Sequence, residues 1–304
     1  MKRLLIGGVL GAVAARAAYT AFTRRPPGLN GLPGDEVWGR TNHRGEPVTL
    51  LEGPAFVAGA TAAVLVAPGL SGRTRAAALI AGAGGGLLGA YDDLAGSGAS
   101  RGFKGHLGAL ARGEVTSGSV KILGIGAAGL VAAAVAGTAA GSKPGALVDV
   151  VINGALVAGG ANLLNLFDLR PGRAIKVGLL AGTPLAAGAP AALVAAPLGA
   201  AAALLPEDLG ERAMLGDAGA NALGALLGLA AATRLGRGGR LAVLTGVAGL
   251  TGASEFVSFT KVIQSTPPLH WLDMLGRRPA AGVAPRPEAG ADAPAPQEPV
   301  EPPR

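Results

Sequence analysis

The chain has 304 residues with a formal net charge of +7, yet only 15% of them are charged and 50% are hydrophobic. An average soluble domain has roughly 25% charged residues, so this depletion and a mean hydropathy of +0.45 point to a membrane protein. The absence of Cys excludes disulfides, thiolate metal sites and Cys nucleophiles. The excess basic residues lie in loops between apolar runs, which favours anionic lipid and phosphate partners and argues against nucleic acid.

Residues 3–22 form a first apolar run, readable as a membrane span or, with Lys2-Arg3 before it, as a secretory signal peptide. Arg16 near its end could snorkel to the interface. A polar, Pro- and Gly-bearing loop follows over 23–52, with Arg24, Arg25, Arg40, His43 and Arg44. Further apolar runs fall at about 53–70, 75–91, 119–140, 146–166, 174–188, 190–206, 218–234 and 241–254. Counting the first, the reading is an all-α polytopic protein with about nine transmembrane helices, several of them shorter than the ~20 residues of an ideal span. The membrane domain is residues 1–278; residues 279–304 are Pro/Ala-rich and have no apolar stripe to bury, so a disordered tail is expected. Fifty-two Gly and only 3% aromatics suit helices that approach closely through small residues. A homodimer is allowed by this composition.

The long links (23–52, 92–118, 167–173, 207–217 and 255–278) all fall on one side of a nine-span arrangement and carry most of the basic residues. That side is therefore assigned to the cytoplasm of a plasma (inner) membrane. Lys2, Arg3, Arg73, Arg75, Lys143, Arg234, Arg237 and Arg240 fall on the other side and weaken the asymmetry.

Four polar clusters sit at span ends on the loop-rich side. Asp92-Asp93 close an apolar run and precede Lys104, His106, Arg112, Glu114 and Lys121. Paired carboxylates with an ammonium suit Mg²⁺ and phosphate chemistry; the plain alternative is a pair of helix-capping acids. Asn162, Asn165 and Asp168 follow at i, i+3 and i+6, on one broad helix face, with Arg170, Arg173 and Lys176 behind them. Such Asn residues also serve as interhelical hydrogen-bond donors in bilayers. Asp217, in MLGDAGANALG, opens a Gly/Ala-rich span, where an Asp is commonly an N-cap. Lys261, His270 and Asp273 lie in a Pro-containing loop, where a lone His is by default an exposed residue.

In order and at span ends, these clusters resemble the polyprenyl-phosphate N-acetylhexosamine-1-phosphate transferase superfamily over about residues 38–278. Asp92-Asp93 are similar to its paired aspartates, Lys104 to a phosphate-binding lysine, Asn162-x-x-Asn165-x-x-Asp168 to NxxNxxDG, Gly216-Asp217-Ala218-Gly219 to GDTG/GDAG, and Pro268-Leu269-His270 to the start of PxHHH. Pro171 replaces a second Asp found in peptidoglycan members, and the His cluster is reduced to His270. The resemblance implies transfer of a sugar 1-phosphate from a UDP-activated amino sugar to polyprenyl phosphate, with release of UMP. It implies catalytic roles for Asp92, Asp93 and Asp168, and Mg²⁺ held by Asp217 and Asn165. Lys104, Asn162, Arg44, Lys176 and His270 would bind substrate. The competing reading is a non-catalytic relative or transporter that binds polyprenyl phosphate and transfers nothing.

Overall fold

A computed structural model describes residues 2–42, 44–96, 102–137, 145–187 and 191–279; the side chains of residues 102–104, 106 and 107 also lie outside the described residues. All of the expected tail but Pro279 therefore falls outside them. The elements in order are α1 (Lys2–Arg24), α2 (Gly34–Trp38), β1 (Gly39–Thr41), β2 (Pro47–Thr49), α3 (Glu52–Val66), α4 (Gly72–Ala95), α5 (Gly102–Ala111), α6 (Ser117–Ala136), α7 (Ala146–Phe167), α8 (Arg173–Gly182), a 3-10 turn (Thr183–Ala186), α9 (Ala191–Leu209), α10 (Gly216–Arg234), α11 (Arg237–Ser254), α12 (Phe259–Ser265) and α13 (Pro267–Met274). The strands β1 and β2 pair as a small antiparallel hairpin, with Arg40 opposite Val48.

Helix α10 is the axis of the fold. Every residue from Ala218 to Ala232 is buried, as expected of a helix that is apolar on all sides. Small residues allow its neighbours to reach it at backbone contact. A Cβ on Gly89 of α4 would collide with the Asp217 carbonyl, and one on Gly160 of α7 with the Gly224 carbonyl. Along α4, Gly82, Gly85 and Gly89 meet Leu226, Asn221 and Asp217 in turn, so α4 and α10 are antiparallel. The C-terminal acids of α4 consequently lie at the head of α10. Gly84 facing Ala128 and Gly124 facing Leu88 make α6 antiparallel to α4, which brings the start of α6 to the same end. Gly160 against Gly224 and Gly228 against Leu156 do the same for the end of α7. On the flank, α1 and α9 run parallel, with Gly7 against Ala192, Gly11 against the Ala196 carbonyl and Arg16 paired with Glu207.

Each apolar run read from the sequence contains a helix, but the count of nine spans is corrected. Among the described residues, α1, α6, α7 and α9 are long and apolar enough to cross a membrane. A fifth is reached if α11 and α12, bent by 96° at their junction, are taken together. The shortfall has a physical cause. The 15 residues of α3 span about 22 Å at 1.5 Å per residue, short of a hydrocarbon core of roughly 30 Å. Helix α8 has only 10 residues, and α4 carries Arg73, Arg75, Asp92 and Asp93.

Several basic residues that weakened the charge asymmetry have local partners. The Arg75 guanidinium donates to the carbonyls of Val64, Leu65, Ala67 and Leu70, where α3 leaves its last acceptors unpaired. Arg234 donates to the Ala187 carbonyl at 2.6 Å, and Arg237 to the Gly145 carbonyl and the Asp149 carboxylate. Arg75 and Arg234 thus meet carbonyls left over at helix C-terminal ends, whereas Arg237 pairs with an acid in the first turn of α7, so local partners account for these residues at least as well as a membrane face does.

Candidate functional site

The end of the bundle at the head of α10 collects four of the expected carboxylates. Asp92 and Asp93 occupy the last turn of α4, Asp217 the first turn of α10, and Asp168 the C-cap of α7. Asp168 is thus just beyond the helix that carries Asn162 and Asn165.

The paired acids of α4 have different surroundings. Asp93 Oδ1 accepts the Asp217 N–H at 3.1 Å, and its Oδ2 accepts the Ala218 N–H at 3.0 Å. It caps α10 from another helix, where the N-cap residue Leu215 has no side-chain acceptor. The Arg40 guanidinium donates to the Asp93 carbonyl at 2.7 Å and joins the hairpin to the same corner. Asp92 instead faces a cation: its Oδ2 lies 2.5 Å from Lys121 Nζ, and the same ammonium pairs with Asp217 Oδ2. The Lys121 side chain is 14% exposed and that of Asp217 27%, so the pair is sheltered but reachable.

Lys121 is the residue that sequence reasoning did not nominate. A capping box opens its helix: Thr116 Oγ1 accepts the Ser119 N–H at 3.0 Å, and Ser119 Oγ accepts the Thr116 N–H at 2.9 Å. That box places the helix start before Lys121 and makes it an ionisable residue inside a membrane-length helix, the signal that could have found it. The nominated Lys104 lies on α5, and its side chain is outside the described residues.

The other nominated residues are more dispersed. Asn165 stands at the site end of α7, and its carbonyl accepts the Asp168 N–H. Asn162 lines a cavity of ≈ 620 Å³ between α6, α7, α10 and α11, and donates to Thr251 Oγ1 at 3.4 Å. This cavity has mainly apolar walls, including Ile125, Ala158 and Val247, and Lys121 lies on its lining. Phe167 stacks on Phe259 at 5.1 Å and holds α12 against the end of α7.

Arg44 Nε is bound to both carboxylate oxygens of buried Glu211 at 3.0 Å, and its Nη2 donates to the Arg278 carbonyl. Lys176 Nζ donates to the last carbonyls of α13, Leu272 at 3.1 Å and Asp273 at 2.7 Å. The Asp273 carboxylate accepts from Arg173 Nε at 2.7 Å and from Arg277 Nη1, four residues along the chain, at 2.9 Å. Burial would raise the Asp273 carboxyl, but the Arg173 hydrogen bond and charge hold it below its ordinary range. His270 is exposed on α13.

The hairpin has its own tether. Arg278 holds Glu46 at 2.5 and 3.0 Å, and with Asn42 it lowers the Glu46 pKa to about 2. A depressed carboxylate stabilises the fold above its unfolded value, 4.5 here, and that contribution is lost as pH falls towards 2. Spin labels at positions 45 and 279 are therefore expected to give one short distance at pH 6 and a broad distribution at pH 2. Glu46→Gln should give the broad distribution at both pH values. A narrow distance in Glu46→Gln at pH 6 would show that the tether lies elsewhere.

The fold and the site define a mainly helical protein, with helices long and apolar enough to cross a membrane and a carboxylate–ammonium centre at one end of its bundle. Compared with protein-family models and with curated proteins, the chain matches none.

Proposed function

We propose that this protein is a membrane glycosyl-1-phosphate transferase. It would move a sugar 1-phosphate from a UDP-N-acetylhexosamine-type donor to polyprenyl phosphate, release UMP, and serve cell-envelope glycan synthesis. One observation carries the reading: the largely apolar ≈ 620 Å³ cavity reaches Lys121, whose ammonium bridges Asp92 and Asp217. A lipid phosphate needs an apolar channel for its chain that ends at a cation for its head group.

The Asp217 carboxylate, which already faces one cation, offers a hard oxygen of the kind Mg²⁺ takes. Mg²⁺ commonly takes one or two protein oxygens together with substrate phosphates, and Asp217 and Asn165 would supply them. When bound, it would offset the charge that builds up between two phosphates. Lys121 would hold the lipid phosphate, and Asp92 would accept its proton. Asp93 keeps the head of α10 in place, and Asp168 lines the donor side. In the transfer, a lipid phosphate oxygen bonds to the sugar-bearing phosphorus while the bond between the two phosphates of the donor breaks. UMP departs with that electron pair.

The site end would face the cytoplasm of the plasma membrane, since Arg24, Arg25, Arg40 and Arg44 lie there and the nucleotide sugar is cytoplasmic. A second reading, binding of polyprenyl phosphate without transfer, is favoured by Lys121 already occupying the place between Asp92 and Asp217. Radiolabelled UDP-N-acetylhexosamine and undecaprenyl phosphate, supplied to inverted and right-side-out vesicles, separate the two. Lipid-linked label in inverted vesicles alone is expected. No product in either would leave the binding reading, and product in right-side-out vesicles alone would reverse the orientation.

A further inference from the structure

The end of the bundle opposite the site carries charge of mainly one sign. Lys2 and Arg3 open α1, Arg73 and Arg75 open α4, Arg234 closes α10, and Arg237 and Arg240 open α11. Among the described residues, the acid at that end is Asp149, in the first turn of α7, and Arg237 and Arg240 share it. Aromatic residues are distributed in the opposite way. Tyr19 lies near the end of α1, Trp38 in α2, Tyr91 beside Asp92 and Trp271 in α13, so both Trp and both Tyr of the chain belong to the site end.

Trp and Tyr commonly anchor both membrane interfaces, so at the far end cations stand where rings would be expected. A ring settles among head groups of any charge, whereas a cation gains most from anionic ones. The cations there are unequally matched. Arg75 is held by the carbonyls of α3, Arg234 by the Ala187 carbonyl, Arg237 by Asp149, and Arg240 by Asn153 Oδ1 at 2.8 Å. Lys2, Arg3 and Arg73 are exposed, and among the described residues none of the three has a hydrogen-bond or ion-pair partner. Arg3 and Arg73 both stand at the link between α3 and α4. A Cβ on Gly69 of that link would lie 2.8 Å from Arg3 Nη1, and Arg73 follows in the first turn of α4. A Cβ on Gly137 would lie 3.1 Å from Arg73 Nη1, so this side chain reaches over the end of α6. Guanidinium N–H groups match phosphate oxygens in pairs, and these two are free to donate.

We propose that this end of the bundle docks on the anionic phospholipid head groups of its own leaflet, with Arg3 and Arg73 as the principal donors to their phosphates. The inference depends neither on the transferase reading nor on which side the site faces, and its test uses no activity. Gly72→Cys, where nothing lies within 4 Å of an added Cβ, would take a fluorophore beside Arg73 in this Cys-free chain. The labelled full-length protein would be placed in phosphatidylcholine vesicles carrying nitroxide-labelled phosphatidylglycerol or, separately, the same amount of nitroxide-labelled phosphatidylcholine. Quenching by the phosphatidylglycerol is expected to be about 3-fold the stronger. The ratio should fall towards unity in about 1 M salt, where the screening length is roughly 3 Å, and in Arg3→Gln/Arg73→Gln. A fluorophore at Val115→Cys, exposed at the site end, should give a ratio that the double substitution leaves unchanged. Equal quenching by the two lipids at low salt would overturn the proposal and leave these cations to an acidic protein or to free counterions. A preference retained in the double variant, or an equal fall at position 115, would overturn the assignment to Arg3 and Arg73. Should the variant fail to fold, a preference unchanged in high salt would still refute the charge-based contact.

Discussion

Asp217→Asn is expected to lower turnover by about 10²- to 10³-fold and to leave the protein folded, with Tm within about 4 °C of wild type. The alternative role for Asp217 was an N-cap, which Asn performs about as well. The geometry separates the two roles. The first N–H groups of α10 are taken by Asp93, whereas the Asp217 carboxylate points to Lys121 and shares it with Asp92. The substitution therefore removes a charge from the cation-holding centre and no cap from the helix. Asp92 remains to pair with Lys121, so the ammonium is not left unmatched. The measurement is steady-state transfer by purified protein across a Mg²⁺ titration. Wild-type turnover with wild-type Mg²⁺ dependence in Asp217→Asn would refute the metal role.

The largest structural effect is expected from Gly224→Val, which should destabilise the protein by at least about 3 kcal/mol and prevent a monodisperse preparation. At Gly224 an added Cβ would strike the carbonyl of Gly160, and at Gly160 it would strike that of Gly224. Both obstacles are backbone, which cannot rotate aside as a side chain would. Separating α7 from α10 would also part the end of α7, with Asp168, from the head of α10. Gly246→Val is the internal control: nothing lies within 4 Å of a Cβ there, so a change within about 0.5 kcal/mol is expected. Equal size-exclusion profiles and equal Tm for the two variants would remove backbone contact as the reason for glycine at Gly224.

Helix class and the ends of the apolar runs were legible in the chain because hydropathy and Gly/Pro punctuation are local properties. The same holds for the polar residues at those ends: Asp92, Asp93, Asp168 and Asp217 stood out because charge at membrane depth is costly wherever the helix packs. Partners were not legible. Asp93 and the N–H groups of α10 are 124 and 125 residues apart, and the glycines of α4 set the register that joins them. Lys104 and Lys121 carry the same charge in the same stretch; the antiparallel packing of α6 on α4 is what places Lys121 between Asp92 and Asp217. Arg44 and Lys176 looked free in the sequence, yet Glu211 and the carbonyls of α13 hold them. Pairing depends on distances across helices, and those distances depend on which small residues let two backbones touch.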